Sequence, residues 1–361
     1  MSSITYKRIA VKIGSNVLTR EDKTLDKERI DELVNQVAKL RAMGIEVILI
    51  SSGAVAAGRS QLQLNQKLDA VSQRQLFSSV GQVKLLNYYH NAFQKHNLSC
   101  GQVLTTKESL STRRAYLNQR NCLEVMLKNG VIPIINENDT ISITELMFTD
   151  NDELSGLISG MMQAEILIIL SNIDGIFNGD PSKEGSQVIR EVLPEEGDLS
   201  SYINPTRSSF GRGGMITKCT TARKVAEEGI PVIIANGKKE NILIDVLGDR
   251  NTLCTRFLPS KRPMSGVKKW ISSSESFAQG EIYINAKAEE ALRSSMAISL
   301  LYVGVVRIEG DFEKGDLVRI LSLEGRTLGV GCASHSSKKA KEKIGKKGEK
   351  PCIHYDYLYL D

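Results

Sequence analysis

Arg8-Ile9-Ala10-Val11-Lys12-Ile13-Gly14-Ser15-Asn16 is an apolar run that carries one lysine and then breaks at a glycine. A strand covered by helices on both faces reads as a continuous apolar run, so a charge near its end needs a partner or a task. In an α/β sheet the task at the carboxyl end of a strand is ligand binding, because the loops there open into the crevice. Gly14 and Ser15 would offer unhindered backbone N–H groups and a hydroxyl to an anion beside the Lys12 ammonium, and a phosphate suits them. The alternative is a lysine that snorkels from an edge strand.

Outward from this run the pattern repeats. Asp26 can cap a helix whose apolar residues Ile30, Leu33, Val34, Val37 and Leu40 recur at helical spacing up to Gly44, and Glu46 to Ile50 is a second buried strand. Strand, helix and strand in this order make a right-handed parallel unit. Further helices are expected from about Val71 to His96, from Tyr116 to Lys128, ending near Gln163, and from Thr217 to Glu228. Strands are expected near Val103 and over Val131 to Ile135, Ile166 to Leu170 and Pro231 to Ala235. The fold class is α/β, a mainly parallel sheet sandwiched by helices. After residue 258 the texture changes: 259–276, with Pro259, Pro263, Gly266 and Ser272-Ser273-Ser274, reads as a linker, and 277–361 as a small mixed β domain with turns at Gly310 and Gly325.

At 361 residues the chain suits two domains, and its apolar and charged fractions, 41% and 25%, are those of a globular protein in water. No apolar run is long enough to span a bilayer and the N-terminus lacks the segments of a signal peptide, so no membrane partner is expected and the cytoplasm is the expected location. Cys100, Cys122, Cys219, Cys254, Cys332 and Cys352 are scattered without a C-x-x-C pair, which leaves free thiols as the default. Residues 338–350 hold seven lysines and two glutamates, a net +5 that equals the charge of the whole chain. Such a run is a solvated helix and loop or a nucleic-acid footprint, and the first is commoner.

Four polar loops follow apolar strands: Lys12-Ile13-Gly14-Ser15, Ser51-Ser52-Gly53-Ala54, Asn136-Glu137-Asn138-Asp139 and Ser171-Asn172-Ile173-Asp174-Gly175. In a parallel sheet these ends share one edge, so loops far apart in sequence converge on one crevice. Gly211-Arg212-Gly213-Gly214-Met215-Ile216-Thr217-Lys218 sets three glycines before a helix, an arrangement that presents N–H groups to phosphates or serves as a flexible loop and cap. Thr149-Asp150-Asn151-Asp152-Glu153 starts another helix; capping explains one of its acids, not all. Gly53 to Ser60 has the glycine spacing of a P-loop, but Arg59 stands at the lysine position, so Gly53 reads as a substrate-loop glycine and Gly58 as a helix or turn position. Two lysines near glycine loops, several carboxylates and no histidine in any of these stretches suit phosphoryl transfer, where positioning and charge neutralisation dominate. A carboxylate acceptor, ionised at neutral pH with a pKa of about 4.3, needs no general base.

Taken in order, these stretches resemble the motif series of the glutamate 5-kinases, within the amino acid kinase family, over residues 1–258. The tail resembles a PUA domain, a β module better known from RNA-modifying enzymes. The resemblance implies transfer of the γ-phosphoryl of ATP to the side-chain carboxylate of L-glutamate, giving γ-glutamyl phosphate for proline synthesis. It assigns Lys12 and Lys218 to the phosphoryl in flight and Asp152 to hold both lysines. Ser52, Gly53, Asn136, Asp139, Asp150 and Asn151 would bind glutamate. Gly14, Ser171, Asn172, Gly213, Gly214, Met215 and Thr217, with the two lysines, would line the nucleotide, and Mg2+ would offset the repulsion between two anionic reactants. No residue is assigned as a metal ligand. Ser171-Asn172 departs from the commoner Thr-Asp, keeping a hydroxyl and losing a charge. Family behaviour further implies feedback inhibition by proline through the loop from Thr140 to Phe148, expected to be an exposed hairpin or flexible segment, and assembly into dimers or tetramers.

Two other readings compete. One is an RNA-binding protein that works through its basic tail, with a decayed first domain; Lys12, Lys218 and the acidic cluster are all present, which argues against it. The other is a related kinase with an N-acetylated glutamate or a nucleotide as acceptor. A nucleotide would want arginines, and the four strand-end loops contain none.

Overall fold

The computed structural model describes residues 4–360 except 23, 63–67, 111, 143–147, 149, 182, 184, 195–213, 250, 262–265, 274–276 and 294–297. The chain divides into two compact units, one of Met1–Lys107 with Asn118–Pro263, the other of Glu108–Leu117 with Met264–Asp361.

In the first unit the strands are β1 (Arg8–Ile13), β2 (Glu46–Ser51), β3 (Ser99–Thr105), β4 (Val131–Glu137), β5 (Ile166–Ser171), β6 (Glu191–Val192), β7 (Val232–Asn236) and β8 (Cys254–Phe257). They lie side by side in the order β3-β4-β2-β1-β5-β7-β8-β6. From β3 to β7 every pairing is parallel. β8 was not foreseen as a strand and runs antiparallel to β7, with β6 parallel to β8 at the edge. The central strands are buried on both faces, which is why they read as unbroken apolar runs.

The helices are α1 (Ser15–Leu18), α2 (Lys27–Ala42), α3 (Ala54–Arg59), α4 (Ala70–Gln94), α5 (Arg113–Lys128), α6 (Asn151–Met162), α7 (Met215–Glu227) and α8 (Ile242–Gly248). Asp26 caps α2 as expected, its carboxylate accepting from the Arg29 N–H at 3.1 Å. Ile30, Leu33, Val34, Val37 and Leu40 of α2 join the core against β1 and β2. α3 and α4 touch at backbone distance in two places. A Cβ on Gly58 would lie 1.8 Å from the Phe77 carbonyl oxygen, and one on Gly81 1.8 Å from that of Ala54, so only glycine lets α3 and α4 cross there. Gly58 is therefore a packing glycine rather than part of a P-loop.

The second unit contains a mixed five-stranded sheet in the order β10-β9-β11-β12-β13, with β9 (Gly280–Ile284), β10 (Val305–Gly310), β11 (Leu317–Leu321), β12 (Thr327–Cys332) and β13 (Leu358–Leu360). Only the β9–β11 pair is parallel. Ile282, Ile284, Leu300, Tyr302, Val318, Ile320 and Ile353 form its core. Gly310 and Gly325 have φ of +83°, as their turns require. Where the sequence suggests a mere linker, Gly266–Ser273 is a helix, and its Trp270 is buried against Tyr116 with its indole N–H on the Leu110 carbonyl at 3.4 Å. The lysine-rich run begins as a short helix, Ser337–Lys341, and continues as turns.

Candidate active site

Registers across the sheet set Ile13 beside Ser51 and Leu170, and Ile50 beside Ile135. β4, β2, β1 and β5 are adjacent, so the four polar loops leave one edge together. α6 enters this edge with its N-terminus. Asp150 caps it, with Oδ1 accepting from the N–H groups of Asp152 at 2.8 Å and Glu153 at 3.0 Å.

Lys12 has its partner here. Asp152 is 0% exposed, and its two oxygens are taken by two ammonium groups, Lys12 Nζ at 2.6 Å from Oδ1 and Lys218 Nζ at 3.0 Å from Oδ2. Lys12 and Lys218 are 4% and 9% exposed. Burial pushes the Asp152 carboxyl up, but the two lysines outweigh it and hold the group below the ordinary carboxylate range. Asp150 goes the other way: burial, and then the neighbouring Asp152 carboxylate, raise it. Its Oδ2 is buried, and the Lys12 ammonium and the Thr217 hydroxyl pull the other way without cancelling the rise.

Why the two lysines meet one carboxylate follows from α6 and α7. From Asp152 to Met162, α6 is buried except at Glu153, and its hydroxyls bond back along the helix, Ser155 to the Asp152 carbonyl and Ser159 to that of Ser155, both at 2.7 Å. At Gly156 a Cβ would come within 2.9 Å of Val225 and 3.1 Å of Thr221, so α7 lies close enough for Lys218, in its first turn, to reach Asp152. Gly214 caps α7 and its carbonyl accepts from the Thr217 hydroxyl at 2.9 Å; Met215 is the first helical residue. Gly211, Arg212, Gly213 and Thr149 lie outside the described residues.

A second group lies on the β2 and β4 side. Asn151 Nδ2 donates to Ser52 Oγ at 2.9 Å and to Asn136 Oδ1 at 3.0 Å, and Asn136 Nδ2 donates to Gln82 Oε1 at 3.0 Å. Gly53 caps α3 with φ of +104°, a conformation that favours glycine. Asp139 pairs with Arg74 of α4, Nε to Oδ1, at 3.3 Å. Arg74 and Gln75 also donate to the carbonyls of Ser142, at 2.7 Å, and Thr140, at 2.9 Å. Of the loop expected to be exposed, Ser142 and Phe148 are buried instead, and Phe148 is tethered by its N–H to Glu137 Oε1 at 3.0 Å; residues 143–147 lie outside the described set.

On the β5 side, Ser171 is buried with its carbonyl accepting from Gly237 N–H at 2.7 Å, and Asn172 is exposed. Asp174 pairs with Lys239 at 2.8 Å and accepts from Asn236 at 2.9 Å. Gly14 departs from expectation. Its N–H donates to the Leu170 carbonyl at 3.1 Å and is not available to an anion; what glycine provides is space, since a Cβ would sit 3.1 Å from the Leu170 carbonyl oxygen. Sequence reasoning missed Arg74, Gln82, Gly156, Asn236 and Lys239. The signal for the first two was present, because Arg74, Ser78 and Gln82 recur every four residues on one face of α4.

The amino acid kinase family model matches residues 7–236, and the PUA domain model residues 280–354. A glutamate 5-kinase from Bacteroides thetaiotaomicron is 62% identical over 358 residues, 99% of each chain. The chain belongs to the glutamate 5-kinase family. A second family member, from Chlorobaculum tepidum, is 46% identical over 98% of both chains. The fold is also that of a carbamate kinase from Giardia lamblia bound to AMP-PNP, with a TM-score of 0.51 and 15% identity over 72% of this chain and 100% of that one. An isopentenyl phosphate kinase gives a TM-score of 0.50 and 16% identity over 69% and 99%. As a member of this family the chain is a phosphotransferase of the amino acid kinase fold, and among the described residues no helix is long and apolar enough to cross a membrane.

Proposed function

We propose that this crevice transfers the γ-phosphoryl of ATP to the γ-carboxylate of L-glutamate, giving γ-glutamyl phosphate and ADP, the first step of proline biosynthesis. The observation that carries the reading is the Lys12–Asp152–Lys218 cluster, two ammonium groups within 3.0 Å of one fully buried carboxylate at the ligand edge of a parallel sheet. An oxygen of the acceptor carboxylate bonds to the γ-phosphorus as the bond to the β–γ bridging oxygen breaks, and no proton moves because the acceptor is already ionised. Both reactants are anions. Lys12 and Lys218 offset the charge on the equatorial oxygens of the phosphoryl in flight, and Asp152 fixes their separation so that little reorganisation is needed.

Ser52, Gly53, Asn136, Asp139, Asp150 and Asn151 form the glutamate side in this reading. Ser171, Asn172, Gly213, Gly214, Met215 and Thr217 form the nucleotide side, with Gly14 contributing room beside Lys12 rather than its N–H. Among the described residues there is no group of three or more His, Cys, Asp or Glu side chains that could hold a metal ion. Mg2+ retains waters and binds substrate phosphates readily, so it belongs to ATP here and no step is assigned to it. The reading extends to a cytoplasmic, homo-oligomeric enzyme with residues 1–258 as kinase domain and 277–361 as PUA-like domain, and to inhibition by proline, an amino acid that shares the α-carboxylate and a cationic nitrogen with glutamate.

An ATP-dependent hydroxylamine trap tests the reaction. Hydroxamate is expected from glutamate and not from aspartate or N-acetylglutamate, and added proline is expected to suppress it. No hydroxamate from glutamate, in protein that binds ATP, would overturn the reading.

A further inference from the structure

Hydrogen-bond accounting in the glutamate side gives it a polarity. An amide has two N–H donors and one oxygen acceptor. Both donors of Asn151 are spent, on Ser52 Oγ and Asn136 Oδ1, so its own Oδ1 faces the other way, buried and without a partner. Ser52 Oγ receives an N–H and keeps its own proton to give. Asp150, whose carboxylate also feels the Thr217 hydroxyl and the Lys12 ammonium, adds a second buried oxygen. The wall thus shows two oxygens that call for a cationic donor beside one hydroxyl that can donate to a carboxylate, the pattern of an α-amino acid.

This polarity depends on which way the Asn136 amide points. Were it inverted, its NH2 would face Asn151, Asn151 would turn its oxygen inward to meet it, and the pocket would present N–H groups that repel an ammonium. Two contacts oppose inversion: the Glu137 main-chain N–H on Asn136 Oδ1 at 2.9 Å, and Gln82 Oε1 on Asn136 Nδ2 at 3.0 Å. The first is independent of sequence, and the second is a choice of side chain. Gln82 reaches Asn136 because Gly81, next to it, lets α4 press onto the backbone of α3, the helix that follows Ser52 and Gly53.

We propose that Gln82 is a specificity-determining positioning residue: by accepting from Asn136 it holds the Asn136–Asn151–Ser52 chain in the orientation that selects an acceptor bearing an α-ammonium. The inference rests on reading this pocket as the glutamate site.

The test compares glutamate with glutarate, the same dicarboxylate with hydrogen in place of the ammonium, as acceptors in the hydroxamate assay. Wild type is expected to prefer glutamate in kcat/KM. Gln82→Met is expected to lower that preference roughly tenfold, as loss of one orienting hydrogen bond in a buried polar chain would, through glutamate KM with ATP KM unchanged. Gln82→Glu keeps an acceptor and is expected to retain the preference. Gln82→Lys substitutes a donor and serves as a second disrupting variant if the Met protein does not fold. Preference unchanged in Gln82→Met or Gln82→Lys, or lost equally in Gln82→Glu, overturns the role of Gln82 alone. Absence of glutamate turnover in wild type removes both this inference and the reading beneath it.

Discussion

Asp152→Asn keeps shape and volume and removes one negative charge from between two buried ammonium groups. Breaking a buried ion pair by removing one partner costs about 3–5 kcal/mol, because the remaining charge is left uncompensated, and here two are left at 2.6 and 3.0 Å from the new amide. A domain of this size loses about 2–4 °C in Tm per kcal/mol, so a fall on the order of 10 °C is expected by calorimetry. The same change frees the lysines to separate, and losing preorganised stabilisation of transition-state charge costs about 10²–10³ in kcat. The pH profile adds a sign. The native carboxyl lies below its unfolded value, so its stabilising contribution is present above the ordinary carboxylate range and is lost as pH falls through the lowered native value. Wild type is therefore expected to lose its advantage over Asp152→Asn on strong acidification. A variant with unchanged or raised Tm at neutral pH, and kcat within a few fold of wild type, would refute the reasoning.

Three further substitutions probe the surroundings. Asp150 has its pKa raised in the fold, so burying its charge destabilises the native state once pH exceeds the native value; Asp150→Asn, which still caps α6, is expected to raise Tm at neutral pH, with the gain vanishing in acid, while glutamate KM rises. Gly156→Ala gains about 1 kcal/mol of helix propensity but drives a methyl against Val225 and Thr221, an overpacking cost of about 1–3 kcal/mol; kcat should fall more than either KM changes, with partial recovery on adding Val225→Ala. Arg74→Ala releases Asp139 and the Ser142 carbonyl and should raise glutamate KM with ATP KM unchanged, whereas Arg74→Lys should recover much of it, as initial-rate kinetics would show.

The strands and the loops that leave them were legible because a doubly covered parallel strand must be apolar, which makes each polar break conspicuous. Lys12 was the clearest case, since a lysine amid Ile9, Val11 and Ile13 can persist only with a buried partner, and Asp152 supplies it. The partners that orient the site were harder to see. Arg74 and Gln82 lie on a long helix where polar residues ordinarily face water, and only the crossing at Gly58 and Gly81 turns them toward the crevice. Gly156 looks like a weak point in a helix until α7 is laid against it. The engagement of the Gly14 N–H by Leu170 is a tertiary hydrogen bond with no trace in local sequence. β8 is short and antiparallel, and the helix Gly266–Ser273 follows prolines that read as a connection, so neither gave a periodicity long enough to recognise.

The central physical claim is that Lys12 and Lys218 act as one unit through Asp152. The most direct measurement is a double-mutant cycle in kcat with glutamate and ATP saturating, using Lys12→Ala, Lys218→Ala and both together. Each single change is expected to remove nearly as much activity as the pair, because loss of either lysine leaves Asp152 free to collapse onto the other. Losses that multiply independently, or a single variant that retains turnover, would contradict it.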